Sequence, residues 1–215
     1  MTQDQAAAEL VAATAAMFAE GVPLMRRLLP SGSELEAWAN YPGGGLLCPA
    51  SGSRAFYHVH PPGEREAGEH GHFHFFLPRS AMDDRAAPLI APPDADSAEH
   101  DFVHIAALAI DASGLPLRWF TVNRWVTDEW LFPATAVSAG LGRFSLAGAG
   151  GDALVNRWLT AAVHVWRPVI VDLLERRDAR LAAARYDGED RALEVLSSAP
   201  ADLDAIFSGV GTPGL

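Results

Sequence analysis

The chain reads as an α+β domain: a small antiparallel sheet of about four strands, arranged as two hairpins, packed with N- and C-terminal helices. Three observations predict it. β-Prone runs at about 54–60 and 70–77 flank a segment with two prolines and two glycines. The apolar run Asp101–Asp111, the turn Ser113–Gly114 and the run Leu115–Trp125 repeat that pattern. Apolar residues at helical spacing mark residues 3–29 and 153–182.

In chain order, Leu10, Val11, Met17, Phe18, Leu24, Met25 and Leu28 predict a first helix, bent at Gly21–Pro23 and stopped by Pro30 and Gly32. Ser33 with Glu36 is a capping-box pair and predicts a short helix through Trp38. Pro42–Gly45 predicts a surface loop. The first hairpin follows, with Pro61–Glu69 as its turn. Residues 78–100, rich in Pro, Asp and Ala, predict a short helix over Ser80–Leu89 and then a loop carrying His100. After the second hairpin comes the longest helical pattern. Its apolar face holds Leu159, Ala162, Trp166, Val169, Ile170 and Leu173, and Pro168 should bend it. Arg157, Thr160, His164 and Arg167 form a polar stripe expected to face solvent. A short helix over 188–197 and a frayed tail, Ser208–Leu215, end the pattern.

The 215 residues suit a single domain over 1–215, and 49% hydrophobic residues can build a core. A net charge of −11 argues against nucleic acid or an anionic membrane as partner. The expected partner is a small-molecule ligand, and a homo-oligomer stays open. Cys48, the single cysteine, excludes an internal disulfide framework and fits a reducing compartment. The start M-T-Q-D-Q lacks a basic n-region, and no uncharged apolar run approaches the roughly 20 residues that span a bilayer. A cytoplasmic protein is therefore expected.

Seven of the eight histidines lie between His58 and His104. A strand sends residues i and i+2 to one face, so His58 pairs with His60, and His70, His72 and His74 share a side, with Phe73, Phe75 and Leu77 opposite. If His60 faces His70, then His58 faces His72, and opposed Cβ atoms stand about 5 Å apart. Imidazole nitrogens bind zinc at about 2.0–2.1 Å, so two or three of these rings can meet on one ion. His70 and His74 are two strand steps apart, roughly 13 Å, too far to share an ion readily. His58, His60, His70, His72, His74 and His104 are the candidate ligands, with His104 equally suited to orienting one. Neutral imidazoles suit a divalent transition metal: iron, zinc, copper or nickel. The competing reading is a solvated or hydrogen-bonded histidine row. Glu64 and Glu69, in the turn, are candidates for a general base, a ligand, or a residue that fixes a ring tautomer; plain exposure is the alternative.

Alternation would place Trp119, Thr121 and Asn123 on the histidine face. V-N-R-W-V-T at Val122–Thr127 is echoed by V-N-R-W-L-T at Val155–Thr160. Trp119, Asn123, Arg124 and Arg157 are therefore candidate binders of a polar or anionic molecule. The alternative is structural: Asn caps a helix end and Arg–Trp packs at a corner. No G-x-S-x-G elbow occurs, and Gly148–Gly151 lacks the lysine of a P-loop.

Gly52, His58, His60, Glu64 and Gly71 fit the spacing of the first conserved cupin motif, and this stretch of about 20 residues resembles it. The resemblance implies metal ligation by His58, His60 and Glu64, often of iron, manganese, nickel or zinc, and oxygen chemistry. The second cupin motif has no counterpart after Gly114-Leu115-Pro116-Leu117. E-H-G-H-F-H at Glu69–His74, with the two N-R-W-x-T strings, is similar to a family of uncharacterised bacterial proteins, a domain of unknown function. That resemblance spans most of the chain and implies no activity. The expected function is a metal-dependent enzyme, oxygen-using in preference to hydrolytic, acting on a small polar or anionic molecule. The alternative is a non-catalytic metal- or small-ligand-binding protein.

Overall fold

The computed structural model describes residues 1–28, 35–95, 101–185, 187–204 and 206. Six strands form one antiparallel sheet in the order of the sequence: β1 (Tyr41–Leu47), β2 (Arg54–His58), β3 (Gly71–Pro78), β4 (Phe102–Ile110), β5 (Pro116–Val122) and β6 (Val195–Pro200). The α+β class and the two hairpins are as expected, but the sheet has six strands in place of about four.

Both extra strands are at the edges, where propensity is weakest as a guide. β1 reads Y-P-G-G-G-L-L, the composition of a turn. An edge strand tolerates Pro and Gly. Gly44 and Gly45 lie at φ +81° and +76°, and a Cβ at Gly45 would come within 3.1 Å of Ala55 O. β6 falls where residues 188–197 predicted a helix. Its Ser197 is held from both sides, exchanging a 2.6 Å hydrogen bond with Thr121 and donating to Leu173 O at 2.8 Å. Tertiary pairing overrides local preference here. The predicted helix at Ser80–Leu89 is only a 3₁₀ turn at Arg79–Ala81, and residues 35–38 form no helix. Pro30, Gly32, Ser33, His100 and the tail Ser208–Leu215 lie outside the described residues.

The helices are α1 (Gln3–Ala19), α2 (Leu24–Leu28), α3 (Arg124–Thr127), α4 (Ala134–Gly140), α5 (Ala153–Val165) and α6 (Arg167–Ala183). α1 opens with a capping box between Thr2 and Gln5. Asp152 caps α5, accepting from Leu154 N and Val155 N. The predicted long helix over 153–182 is two helices that break at Trp166. Pro168 sits in the first turn of α6, where its missing N–H costs nothing.

α1 packs along α5, and α6 lies over β4, β5 and β6. Between helices and sheet, Tyr57, Phe73, Phe75, Leu108 and Trp119 are fully buried. Trp119 packs at a tilt between Phe75 and Trp166, with ring centroids 5.3 and 6.0 Å away. Trp119 therefore belongs to the helix-facing layer, which corrects the expected alternation. The polar stripe of α5 also departs from expectation. Thr160 accepts from Leu146 N, and His164 donates to Phe144 O at 2.9 Å, so these two dock the loop before α5, while Arg157 and Arg167 are exposed as expected. No helix among the described residues is long and apolar enough to cross a membrane.

Candidate metal centre

The second face of the sheet carries the histidines. β2 and β3 pair with His58 opposite His72 and Phe56 opposite His74, the expected register. One nitrogen each from His58, His72 and His74 lies within 4.8 Å of the other two, and this is the only such His, Cys, Asp or Glu group among the described residues. His60 lies just past β2, and its Nε2 is 3.1 Å from His58 Nε2. Nitrogens sharing one ion at about 2.0–2.1 Å stand about 3–3.4 Å apart. The His58–His60 pair already has that separation, and the triad reaches it with ring movements on the order of 1 Å.

Two of the three rings are held from behind. His72 Nδ1 donates to Glu69 Oε1 at 2.6 Å, which leaves the lone pair on Nε2. Glu69 is fixed in turn by Arg118 Nη2 at 3.0 Å, and Arg118 lies over the Phe120 ring at 4.3 Å. Burial pushes the Glu69 carboxyl up, but His72 and Arg118 outweigh it and hold it below the usual range. His74 Nδ1 is 3.0 Å from His104 Nε2. When His74 donates in that bond, its Nε2 is free to coordinate. A register shift opposite Phe75 and Phe76 turns His104 onto this face, although strict alternation from Ala109 and Ala107 would point it away. His60 is fixed through its carbonyl by Arg65 Nε at 2.5 Å, and Trp38 stacks on its ring at 4.4 Å.

His58, His74 and His104 are neutral near pH 7. Burial, then His72 and His60, push His58 down to about 3. Burial, then Arg177 and His72, do the same to His104. Burial, then the surrounding rings, hold His74 well below its ordinary value. A neutral imidazole is the form that donates a lone pair to a metal. Phe56, Phe76 and Phe120 border the cluster, with Phe56 5.2 Å from His74 and Phe120 5.2 Å from His72. His58 and His60 are half-buried and mark its open side.

The remaining predicted residues lie elsewhere. His70 precedes β3 and turns to the Tyr57 hydroxyl, 2.7 Å from its Nδ1, away from the triad. That hydroxyl passes beneath Gly71, where a Cβ would come within 2.4 Å of it and 2.5 Å of His58 O. Glu64 is exposed in a 3₁₀ turn. Asn123 caps α3 and donates to Asp187 O, while Arg124 pairs with Asp128 and Glu189. In the second copy, Asn156 donates to Ala149 O and Gly150 O, and Arg157 pairs with Glu9 on α1 at 2.5 Å. The two N-R-W strings thus each clasp a loop or a neighbouring helix. Arg118 was missed by sequence reasoning. The alternation Arg118, Phe120, Val122 carried the signal, and the pairing of Ala109 with Arg118 places it beside Glu69.

At the far end of this face, Glu129 is 7% exposed and its Oε2 has no partner among the described residues. Burial pushes its carboxyl up to about 8 against the pull of Arg54, with Asp128 adding to the rise. The folded value exceeds the unfolded one, so the native state holds an extra proton between about pH 4.5 and 8, and stability falls as pH rises through that window. Glu129→Gln should therefore stabilise the protein by about 1–2 kcal/mol at pH 8.5 and leave it unchanged at pH 4. Urea unfolding at both pH values checks this, and an equal effect at both would contradict it.

The family model described as "Domain of unknown function (DUF6969)" matches residues 4–201. No curated protein and no solved structure matches the chain.

Proposed function

We propose that this chain, which belongs to the DUF6969 family of unknown function, is a metal-dependent enzyme whose ion is held by His58, His72 and His74, with His60 as a fourth donor. The observation that carries the reading is the convergence of the three imidazoles, two of them oriented from behind by Glu69 and His104. The ion is a divalent transition metal (iron, zinc, copper or nickel), because the donors are all imidazole nitrogen. Its substrate is a small polar or anionic molecule reaching the side where His58 and His60 are half-buried.

The likeness of the first hairpin to the first cupin motif favours oxygen-using chemistry over hydrolysis. Hydrolysis assisted by a protein carboxylate would need that base poised beside the bound water. Glu69 is engaged by His72 and Arg118, and Glu64 is exposed. Neither stands free beside the triad.

Elemental analysis of protein made without an affinity tag tests the reading. One ion per chain is expected. Chelation and reloading with that ion at about a hundredfold excess over its Kd should change the melting temperature by about 5–10 °C. No metal, and no thermal response to Fe²⁺, Zn²⁺, Cu²⁺ or Ni²⁺, would end the proposal. Stoichiometric metal with no oxygen uptake across small polar substrates would favour a non-catalytic metal-binding protein.

A further inference from the structure

The metal reading leaves the charge of the site unbalanced. Its only group of donors close enough to hold an ion, among the described residues, contains three histidines and no carboxylate. Imidazoles ligate as neutral groups, so a divalent ion bound there keeps its full double charge. The nearest buried acid, Glu69, is already matched by the Arg118 guanidinium at 3.0 Å, and its other oxygen takes the His72 proton at 2.6 Å. It faces the back of the His72 ring and cannot enter the coordination sphere without abandoning both partners. His72 and His74 are 6% and 1% exposed, so the double charge sits where water solvates it poorly. A buried charge without a counter-charge is costly, and a bound anion lowers that cost.

We infer, on the basis of the metal reading above, that a further coordination position beside the four histidines takes a small anion as direct ligand, and that the substrate is a molecule presenting an anionic oxygen, nitrogen or sulfur donor. This narrows a polar-or-anionic ligand to an anionic one bound on the ion itself. The neutral donor set favours the anion over an uncharged analogue of the same shape, because only the anion offsets the charge.

An opposing influence lies at the mouth. Glu64 and Glu194 are exposed, and both act on His60 electrostatically. They disfavour an approaching anion. They stand in solvent, where water and salt screen them, whereas a ligand on the ion is in direct contact with the double charge. The contact interaction therefore decides which ligand stays, and the acids only slow its arrival.

The test uses the full chain loaded with Co²⁺, whose visible spectrum reports its ligands. The probes are azide and acetate as anions and acetamide as the neutral counterpart of acetate. Azide and acetate should change the spectrum saturably, and acetate should bind at least about tenfold more tightly than acetamide. A Co²⁺ spectrum that answers to neither anion, or to acetamide as readily as to acetate, would overturn the inference and leave the metal site standing. Failure of the chain to bind Co²⁺, Zn²⁺ or Fe²⁺ at all would overturn both. Glu64→Gln combined with Glu194→Gln should speed azide binding at low salt, and unchanged rates would remove the role given to the mouth.

Discussion

Replacing His74 with alanine should lower affinity for a divalent transition ion by about 10²–10³-fold. Structural sites of four ligands bind zinc with roughly 10–16 kcal/mol, so one ligand carries about 3–4 kcal/mol. His58→Ala and His72→Ala should behave alike. The residues behind the rings should give a smaller, graded loss. Glu69→Gln keeps an acceptor for His72 Nδ1 but drops the charge, and His104→Ala leaves His74 without the partner 3.0 Å away. Each should cost about 10–100-fold. His70→Ala is the control, because that ring is bound to Tyr57 and faces away from the triad. Metal titration followed by competition with a chromophoric chelator measures all of these. A His70→Ala loss as large as that of His74→Ala would show that the ligands have been misassigned.

The second large effect is acid sensitivity of the metal-free protein. His58 and His104 are held near 3, against 6.5 for an unperturbed ring. Their folded values lie below the unfolded ones, so the unfolded chain takes up protons that the native state refuses. Stability is complete above about pH 6.5 and declines as pH falls towards 3. Two such rings give a slope of at most about 3 kcal/mol per pH unit, and His74 steepens it. Against a total of about 5–15 kcal/mol, unfolding should be well advanced by about pH 4. Saturating metal should raise stability near neutral pH and lose that advantage as protons displace it from the imidazoles, so the two curves converge in acid. Circular dichroism against pH, with and without metal, checks this. A metal-free protein that stays folded at pH 3.5 would show that the rings are not enclosed as described.

The centre was far more legible than the architecture around it. H-x-H in two β-prone runs with a turn between them fixes the shared face through strand alternation, and the His58–His72 pairing, expected if His60 faces His70, is the one observed. The edges of the sheet were hidden for a different reason. β1 is rich in glycine, and β6 is held through Ser197, whose hydroxyl bonds outside its own strand, so neither carries a local β signal. Trp119 was expected on the wrong face, and Arg118 missed, because the register of β5 depends on an irregularity at Ala109 and Ile110, which no count of residues reveals. His104 reaches its place by a similar irregularity in β4. The N-R-W strings drew attention as binding groups, yet Asn and Arg are as useful for tying loops, and the distinction depends on partners distant in sequence.

Every strand in this sheet neighbours the one before it in the chain. Such an order has a kinetic consequence. Sequence-local pairing keeps the entropy of closing each loop small, and it lets a chain assemble progressively from one turn outward. The three ligands would then come together when a single hairpin zips. His104, which steadies His74, arrives with the strand that docks next. A nascent chain should therefore gather these three imidazoles early, before the helical layer has condensed over the opposite side.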